Sequence, residues 1–425
     1  MDLAGQLSPP RDKAITLALR GVAVDQNKLS VAIIGAGIGG LTAALCLRRF
    51  GVDANVYEQS RTIREVGAGI NVTPNATRIL HALGLAGVLS EHGVVPSHAH
   101  QRRWEDGRTL SRTSLGVETE RRFGFRQYQF HRADLLNILR TAVPADRVHF
   151  SHRLASFNDS GQKVDILFEN GVRTRADALI GADGIHSTVQ RLLFGETRPN
   201  FTGCAAYRAL VPAGKVAHAA LESVLQASLG PGSHFVSYFV SGGRSVNLVG
   251  IVEQPHWTNE SWTERGDPSG LRSAFSGWHC QVQALLGAVE ETFIFGLFDR
   301  APLARWSVGR ASLLGDACHP MLPFMAQGAA QAIEDAMSLA VCLREIPDVP
   351  RALARYQGLR LPRTSFVQSL SSANKLRFHL PDGPEQRKRD MEMAESAGNR
   401  SLHARSWLYG YDAEAAVQTA DLGIP

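Results

Sequence analysis

A glycine-rich turn between a short apolar run and a helix-forming run constrains the fold of this chain more than any other feature. Gly35, Gly37 and Gly40 follow SVAII and precede LTAALCLRRFG. The first glycine permits a tight turn, the second lets the backbone approach a pyrophosphate, and the third lets helix pack on strand. A helix N-terminus carries unsatisfied N–H groups and partial positive charge, which suit a diphosphate. The pattern predicts a βαβ unit of a Rossmann-like α/β fold that binds a dinucleotide.

A second predicted strand, ANVYE, ends at Glu58, 18 residues after Gly40. A carboxylate at this position can accept hydrogen bonds from both ribose hydroxyls of a dinucleotide. The alternative is an ordinary glycine turn followed by a surface glutamate. The turn by itself does not choose between FAD and NAD.

Composition excludes several classes of function. The 425 residues are 44% hydrophobic and 20% charged, with a net charge of +5, which is typical of a globular protein. The basic residues are scattered, so we expect no nucleic-acid partner. No apolar run is long enough to predict a transmembrane segment.

The cysteines indicate a reducing compartment. They number five, an odd count, and none has CxxC spacing. Free thiols are therefore expected, and with them a cytoplasmic location. We also predict no metal site, because Cys318-His319 has no second ligand pair near it in the sequence.

Two later motifs have the same strand-to-turn character. The first is LIGADGIHS, which contains Asp183. The second is LGDACHP, which contains Asp316 and is followed by Gln327-Gly328-Ala329 and a long predicted helix. Each aspartate taken alone could be an ordinary turn residue, because Asp-Gly and Gly-Asp pairs are common in turns.

With its three motifs in this order, the chain resembles the class A flavoprotein monooxygenases from about Ser30 to Tyr411. The resemblance implies bound FAD and NADH or NADPH as co-substrate. It implies a discontinuous FAD-binding domain at 30–200 plus 300–345 and an inserted β-sheet substrate domain at 201–299. A tail at 1–29 and a helical C-terminal region at 346–425 complete the expected organisation, in which 382–400 is an exposed loop or mobile helix.

The resemblance also implies which residues contact the cofactor. Asp316 is expected at the flavin ribitol, Arg132 at the diphosphate, and Asp183 near the diphosphate and the nicotinamide route. The backbone of Leu154 is expected at the adenosine end. The full predicted set is Gly35, Gly37, Gly39, Gly40, Glu58, Gln59, Gly69, Arg132, Leu154, Asp183, Asp316, Gly328 and Ala329.

The substrate side is predicted on a strand in the β-rich segment. His234 and Tyr238 share one face of that strand, because strand side chains alternate. An imidazole with a pKa near ~6.5 is suited to taking a proton from a ring hydroxyl at neutral pH. The alternative is a packed aromatic pair on a sheet. Asn71 completes the predicted catalytic set, although it stands where the family carries His or Gln and cannot act as a base.

The resemblance implies an FAD-dependent monooxygenase that hydroxylates a hydroxy-aromatic or hydroxy-pyridine carboxylic acid with NAD(P)H and O2. The expected oxidant is a C4a-hydroperoxyflavin, and decarboxylation follows if the attacked carbon bears the carboxylate. The alternatives are an epoxidase or dehydrogenase for a larger apolar substrate, and a non-catalytic flavin-binding redox module. The resemblance is compatible with a homodimer.

Overall fold

The computed structural model describes residues 29–62, 68–196, 198–219, 221–257 and 264–419. The tail predicted at 1–29 lies outside these residues, apart from Leu29. The strands are β1 (Ser30–Ile34), β2 (Asp53–Tyr57), β3 (Gly69–Val72), β4 (His98–Arg103), β5 (Thr109–Ser114), β6 (Tyr128–His131), β7 (Val148–His149), β8 (Leu154–Asp159), β9 (Val164–Phe168), β10 (Arg173–Ala176), β11 (Ala178–Gly181), β12 (Asn200–Pro212), β13 (Leu225–Gly230), β14 (Ser233–Val240), β15 (Ser245–Glu253), β16 (Arg265–Gly266), β17 (Thr292–Asp299), β18 (Ser307–Val308) and β19 (Ala311–Leu313).

The helices begin at the glycine turn and dominate the C-terminal part of the chain. They are α1 (Ile38–Arg49), α2 (Pro74–Ala82), α3 (Ala86–His92), α4 (Val117–Phe123), α5 (Arg132–Ala142), α6 (Thr188–Phe194), α7 (Pro268–Ala274), α8 (Cys280–Gly287), α9 (Gly328–Glu345), α10 (Val349–Phe378), α11 (Pro384–Glu395), α12 (Asn399–Ala404), α13 (Ser406–Tyr409) and α14 (Ala413–Thr419).

A six-stranded sheet in the order β18-β19-β11-β1-β2-β7 forms the centre of the nucleotide-binding half. Its strands are parallel except at the β18–β19 edge. Parallel sheets are covered on both faces, so their strands are apolar throughout, as SVAII is. Helices α1 and α9 pack against each other beside this sheet. The predicted α/β fold and its βαβ unit are confirmed.

An eight-stranded sheet in the order β16-β17-β12-β15-β14-β13-β4-β5 forms the second half. It is antiparallel apart from the β13–β4 pair. The β-rich character predicted for 201–299 therefore corresponds to most of one sheet. Strands β4 and β5 join it from residues 98–114, which the sequence pattern did not assign to it. The domain boundaries themselves stay a prediction.

Two smaller sheets accompany the large ones. The hairpin predicted at Asn170-Gly171 is present as β9 and β10, with Gly171 at a φ of +84°. Strands β3 and β6 form a separate antiparallel pair, and β6 contacts β14 of the large sheet.

The expectation of an exposed loop or mobile helix at 382–400 is only partly right. Helix α11 packs one face on β5, and Arg389, Asp390 and Met393 on that face are buried. The Arg389 guanidinium donates to Asp390 and to backbone carbonyls at the end of α10. The high charge density of this segment therefore did not prevent burial, because the buried guanidinium and carboxylate groups form hydrogen bonds and an ion pair with each other. Within the described ranges, no helix is both long and apolar enough to cross a membrane.

Candidate active site

A cavity of about 670 Å³ runs from the glycine turn to one face of the eight-stranded sheet. At one end its wall is formed by Gly37 and Gly39 and by the N-terminus of α9. At the other end it is formed by side chains of β14, β15 and β12, among them His234 and Tyr238. The cavity therefore joins seven of the thirteen predicted cofactor residues to the predicted substrate residues; Gly35, Gly40, Glu58, Gln59, Leu154 and Asp183 do not line it.

The glycine turn has the geometry of a phosphate cradle. Gly35 has a φ of +107°, and a Cβ on Gly40 would lie 2.0 Å from the Gly35 carbonyl oxygen. By contrast, a Cβ on Gly37 would meet nothing within 4 Å, so the space in front of it is open. No side chain caps the start of α1. Free N–H groups at a helix start facing open space suit an anion.

Glu58 directly follows β2 and lies beside this turn. Its Oε2 accepts from the Ala36 N–H at 2.9 Å, and its Oε1 accepts from the Ser60 N–H at 2.9 Å. Each carboxylate oxygen retains a lone pair for a ribose hydroxyl. Gln59 is exposed, and Leu154 is buried at the start of β8 without lining the cavity.

Asp183 uses its carboxylate locally. Its oxygens accept from the Ser187 hydroxyl, from the Thr188 N–H at 2.7 Å and from the Val189 N–H at 3.2 Å. Burial raises the pKa of this carboxyl, while those hydrogen bonds lower it, and burial prevails. The neighbouring Gly184 lines the cavity, so a cofactor would meet the backbone of this turn before the Asp183 carboxylate.

The remaining cofactor predictions converge on the cavity. Asp316 is exposed on a 3₁₀ turn and lines the cavity together with Arg132. Gly328 and Ala329 begin α9, whose first turn also has no side-chain cap. A second uncapped helix start therefore faces the same space, where its partial positive charge can stabilise an anionic ring edge.

These residues fit FAD. The open glycine cradle suits the diphosphate, Glu58 suits the adenosine ribose, and the exposed Asp316 carboxylate suits a polyol. The α9 N-terminus suits the pyrimidine edge of a flavin. The cavity then continues beyond this position to the sheet, which leaves room for a second, smaller molecule.

His234 and Tyr238 both line the cavity on β14, and Asn71 lines it from β3. Burial, with a contribution from His379, lowers the pKa of His234 well below its usual range, so the imidazole is neutral at pH 7. Titration near neutrality is therefore disfavoured, because burial destabilises the charged imidazolium. Burial raises the pKa of Tyr238, and the positive Arg208 offsets this only in part. The phenol is thus a hydrogen-bond donor, not a base.

Tyr238 packs directly on the backbone of Gly69. A Cβ on Gly69 would lie 2.6 Å from the Tyr238 ring and 2.6 Å from Asn247 Cγ. The Gly69 N–H donates to Asn247 Oδ1 at 2.6 Å. Asn71, two residues along, accepts from Gln127 Nε2 at 3.2 Å through its own Oδ1. Gly69 therefore has a steric role beside Tyr238, and its contact with the cofactor stays a prediction.

The sequence patterns missed the cavity's positive charge. Arg208 on β12, Arg377 on α10 and Arg405 line it alongside Arg132, whereas among the described lining residues Asp316 is the one carboxylate. Arg208 could have been predicted, since it lies on a strand whose polar and apolar residues alternate. No local signal marks Arg377 or Arg405, which reach the cavity through tertiary packing.

A cluster of possible metal ligands lies behind the turn that carries Asp316. Cys318, His319 and Asp335 have ligand atoms within 4.8 Å of one another. Asp335 is already paired, however, with His319 Nε2 at 2.5 Å and with Arg360 Nε at 2.7 Å. An arginine beside the carboxylate opposes a second cation, so the cluster is explained without a metal.

Comparison with known proteins identifies the family. The model of the FAD binding domain matches residues 28–368. The chain belongs to this family of FAD-dependent monooxygenases. One relative is 3-amino-4-hydroxybenzoate 2-monooxygenase from Streptomyces platensis, 39% identical over 92% of this chain and 98% of that protein. Another is 6-hydroxynicotinate 3-monooxygenase from Pseudomonas fluorescens, 37% identical over 81% of this chain and 90% of that protein.

Solved structures agree with the monooxygenase family. The HpxO complex with FAD and uric acid from Klebsiella pneumoniae has a TM-score of 0.82 and 27% identity, and covers 91% of this chain and 97% of that one. A salicylate hydroxylase substrate complex has a TM-score of 0.78 and 26% identity, with 93% and 98% covered. The predictions of FAD, of an enzyme and of a monooxygenase are confirmed.

Proposed function

We propose that this monooxygenase hydroxylates an aromatic or pyridine carboxylic acid that carries a ring hydroxyl, with NAD(P)H and O2 as co-substrates. The observation that carries the proposal is the pairing of a neutral imidazole and a protonated phenol on one wall of the cavity. Relatives named for 3-amino-4-hydroxybenzoate, 6-hydroxynicotinate and 3-hydroxybenzoate support this substrate class. A purely apolar substrate would leave His234 Nε2 and the Tyr238 hydroxyl without a hydrogen-bond partner in the cavity, which is costly.

Each residue of that wall has a separate task in the proposal. When bound, FAD supplies the redox chemistry with nicotinamide and O2. His234 accepts the proton of the ring hydroxyl through Nε2, which makes the ring more electron-rich. Tyr238 donates its hydroxyl hydrogen to the resulting oxygen and fixes the orientation of the ring. Asn71 offers a further amide donor and acceptor at the cavity edge.

Arg208 is proposed to bind the substrate carboxylate. The sheet register places Arg208 opposite Val249, and Val249 opposite Val236, between His234 and Tyr238 along β14. Two strand spacings place the backbone of β12 ~10 Å from that of β14. The long Arg208 side chain can therefore extend toward a substrate ring bound at β14. A guanidinium binds a carboxylate by paired, charge-assisted hydrogen bonds. Arg377 and Arg405 reinforce the positive potential for an anionic substrate.

The experiment uses the FAD-loaded protein with NADH or NADPH in air. Consumption of the reductant and release of hydrogen peroxide are followed against acids of the three kinds named above. A hydroxy acid that speeds reductant loss without matching peroxide, and yields a hydroxylated product, supports the proposal. Equal turnover with the same rings lacking a carboxylate or hydroxyl would contradict it.

Tyr238→Phe tests the wall itself. We expect the variant to retain FAD but to lose most coupled hydroxylation, with more peroxide per NADH, because the ring oxygen loses its donor. Tyr207→Phe is the matched control, since Tyr207 is half-buried on β12 but does not line the cavity. Full coupled activity in Tyr238→Phe would exclude the assigned role.

We further propose a homodimer and a cytoplasmic location. The described cysteines, all five of them, are free, which supports a reducing compartment. Light scattering of the purified protein would test the assembly, and fractionation of the source cells would test the location. Decarboxylation, if it occurs, would appear as CO2 released in step with product.

A further inference from the structure

Two buried histidines and a glutamate form a continuous chain from the cavity to the surface. His234 Nδ1 lies 2.7 Å from His379 Nε2, and His379 Nδ1 lies 3.1 Å from Glu253 Oε1. His234 is 2% exposed and His379 5%, whereas the Glu253 side chain is 48% exposed. The chain thus begins at the substrate wall and ends at solvent.

The hydrogen-bond pattern fixes the tautomers of both imidazoles. An ionised glutamate only accepts, so His379 must carry its hydrogen on Nδ1. His379 Nε2 is then an acceptor, and His234 must donate to it from Nδ1. The lone pair of His234 therefore lies on Nε2, the nitrogen left for a group inside the cavity. Glu253 acts through two rings to make His234 a proton acceptor toward the substrate.

Resting on the function proposed above, we propose that His379 and Glu253 are positioning residues that pass the substrate's proton from His234 to solvent. The ring O–H bond breaks as a bond forms to His234 Nε2. The Nδ1–H bond of His234 breaks as an Nε2–H bond forms on His379. The Nδ1–H bond of His379 breaks as an O–H bond forms on the Glu253 carboxylate. Glu253 then releases that proton to water, and no oxidant or reductant is needed.

Aromatic rings surround the buried end of the relay. The rings of Phe324 and Phe378 lie 5.2 and 5.4 Å from the ring of His234. The Gly232 N–H donates to the His379 carbonyl at 3.0 Å and holds this residue just beyond the end of α10. A fixed path between neutral rings transfers a proton without exposing the cavity to bulk water.

The charged groups around His379 come from several elements. Burial lowers the pKa of His379, Glu253 on β15 raises it, and Lys375 on α10 lowers it. Lys375 is itself held by the Thr202 carbonyl and acts on Asp299 of β17. Arg389 on α11 donates to the Phe378 carbonyl at 3.4 Å, one residue before His379. The net result favours neutral rings, which pass protons instead of storing them.

The test uses the FAD-loaded protein without reductant and the chromophoric acid 4-hydroxy-3-nitrobenzoate, whose phenolate is coloured. Rapid mixing measures how fast the bound probe ionises, separately from its affinity. For Glu253→Gln and His379→Gln we expect similar affinity but ionisation slower by about tenfold, less than the ~10²–10⁴-fold contributed by a general base. Glu169→Gln, an exposed carboxylate on another surface, should change neither value.

A rescue experiment separates relay from structure. Glu253 is half-exposed, so added formate can reach the space left in Glu253→Ala and restore fast ionisation; a merely structural loss would not recover. Wild-type ionisation rates in Glu253→Gln, or slow rates that formate does not restore, would overturn the relay while leaving the hydroxylase proposal intact. If the wild-type protein neither binds nor ionises any hydroxy acid of the panel, the proposed function fails, and the relay with it.

Discussion

At the scale of single residues, a missing side chain matters as much as one that is present. Gly69 has no Cβ, and that space is filled by the Tyr238 ring and Asn247 at 2.6 Å. The glycine thereby sets how closely β3 approaches the cavity wall that carries Tyr238. Such close packing leaves little room for relaxation, because protein interiors are packed like organic crystals.

Gly69→Ala should therefore displace Tyr238. We expect a loss of ~1–3 kcal/mol in the free energy of unfolding, typical of overpacking, together with uncoupling of reductant use from hydroxylation. Gly87→Ala is the control, since a Cβ there meets nothing within 4 Å on α3. Urea unfolding and peroxide assays measure both effects. A well-folded, fully coupled Gly69→Ala enzyme would contradict this reading.

At the scale of elements, α9 and α10 are joined by a buried charge network. Arg360 on α10 contacts Glu334 at 2.6 Å and Asp335 at 2.7 Å, and all three side chains are fully buried. Arg363 adds a contact to Glu334 at 2.7 Å. The network lies behind the first turns of α9, so it also holds the helix start that faces the cavity.

Arg360→Met should destabilise the fold strongly. It leaves carboxylates buried without their main partner, which costs about 3–5 kcal/mol. The free energy of unfolding in urea at pH 7 measures the loss. Arg121→Met is the control, because the exposed Arg121–Glu118 pair should leave the unfolding midpoint unchanged. An Arg360→Met protein as stable as wild type would show that the network can reorganise.

The same network sets an acid limit on stability. Burial alone would raise the pKa of Glu334 and of Asp335. Arg360 and Arg363 outweigh burial at Glu334, and His319 and Arg360 outweigh it at Asp335, so both pKa values fall below their usual range. A carboxyl with a lowered folded pKa stabilises the fold above its unfolded pKa of ~4 and loses this contribution as pH falls toward the folded pKa. We expect the free energy of unfolding attributable to this network to be constant from pH 7 to 5 and to fall below about pH 4.

At the scale of the whole molecule, the cavity lies between the two large sheets. The end lined by the glycine turn belongs to the parallel sheet and α9, and the end lined by His234 and Tyr238 belongs to the antiparallel sheet. A ligand that fills the end at the parallel sheet and contacts the end at the antiparallel sheet should stabilise both halves of the protein together. This makes cofactor binding a global stabiliser, not only a local one.

FAD should raise the thermal midpoint of the whole chain in one cooperative step. At a free concentration of 100 Kd, the linkage amounts to ~2.7 kcal/mol. FMN, which lacks the adenosine half, should raise the thermal midpoint much less than FAD does. Glu58→Ala should reduce the difference between the midpoint shifts caused by FAD and by FMN. Calorimetry with each flavin measures the shifts. Equal stabilisation by FMN would mean that the glycine turn and Glu58 contribute nothing.

The local motifs determined the cofactor half of this protein. This half is built from a glycine turn, two later strand-to-turn motifs and a helix start. Each depends on backbone geometry within a few residues, so each can be predicted from the sequence. The alternation of β14 likewise predicted that His234 and Tyr238 share a face, because a strand's period is fixed by its own backbone.

Only the tertiary structure decided what those groups are next to. The neutrality of His234 comes from its burial beside His379, which is 145 residues away along the chain. Apart from Arg132, the arginines of the cavity come from β12, from α10 and from the turn between α12 and α13. The partners of Asp183 hold its carboxylate away from the cavity. Charge, pKa and proton paths depend on distances between remote segments, which no local pattern encodes.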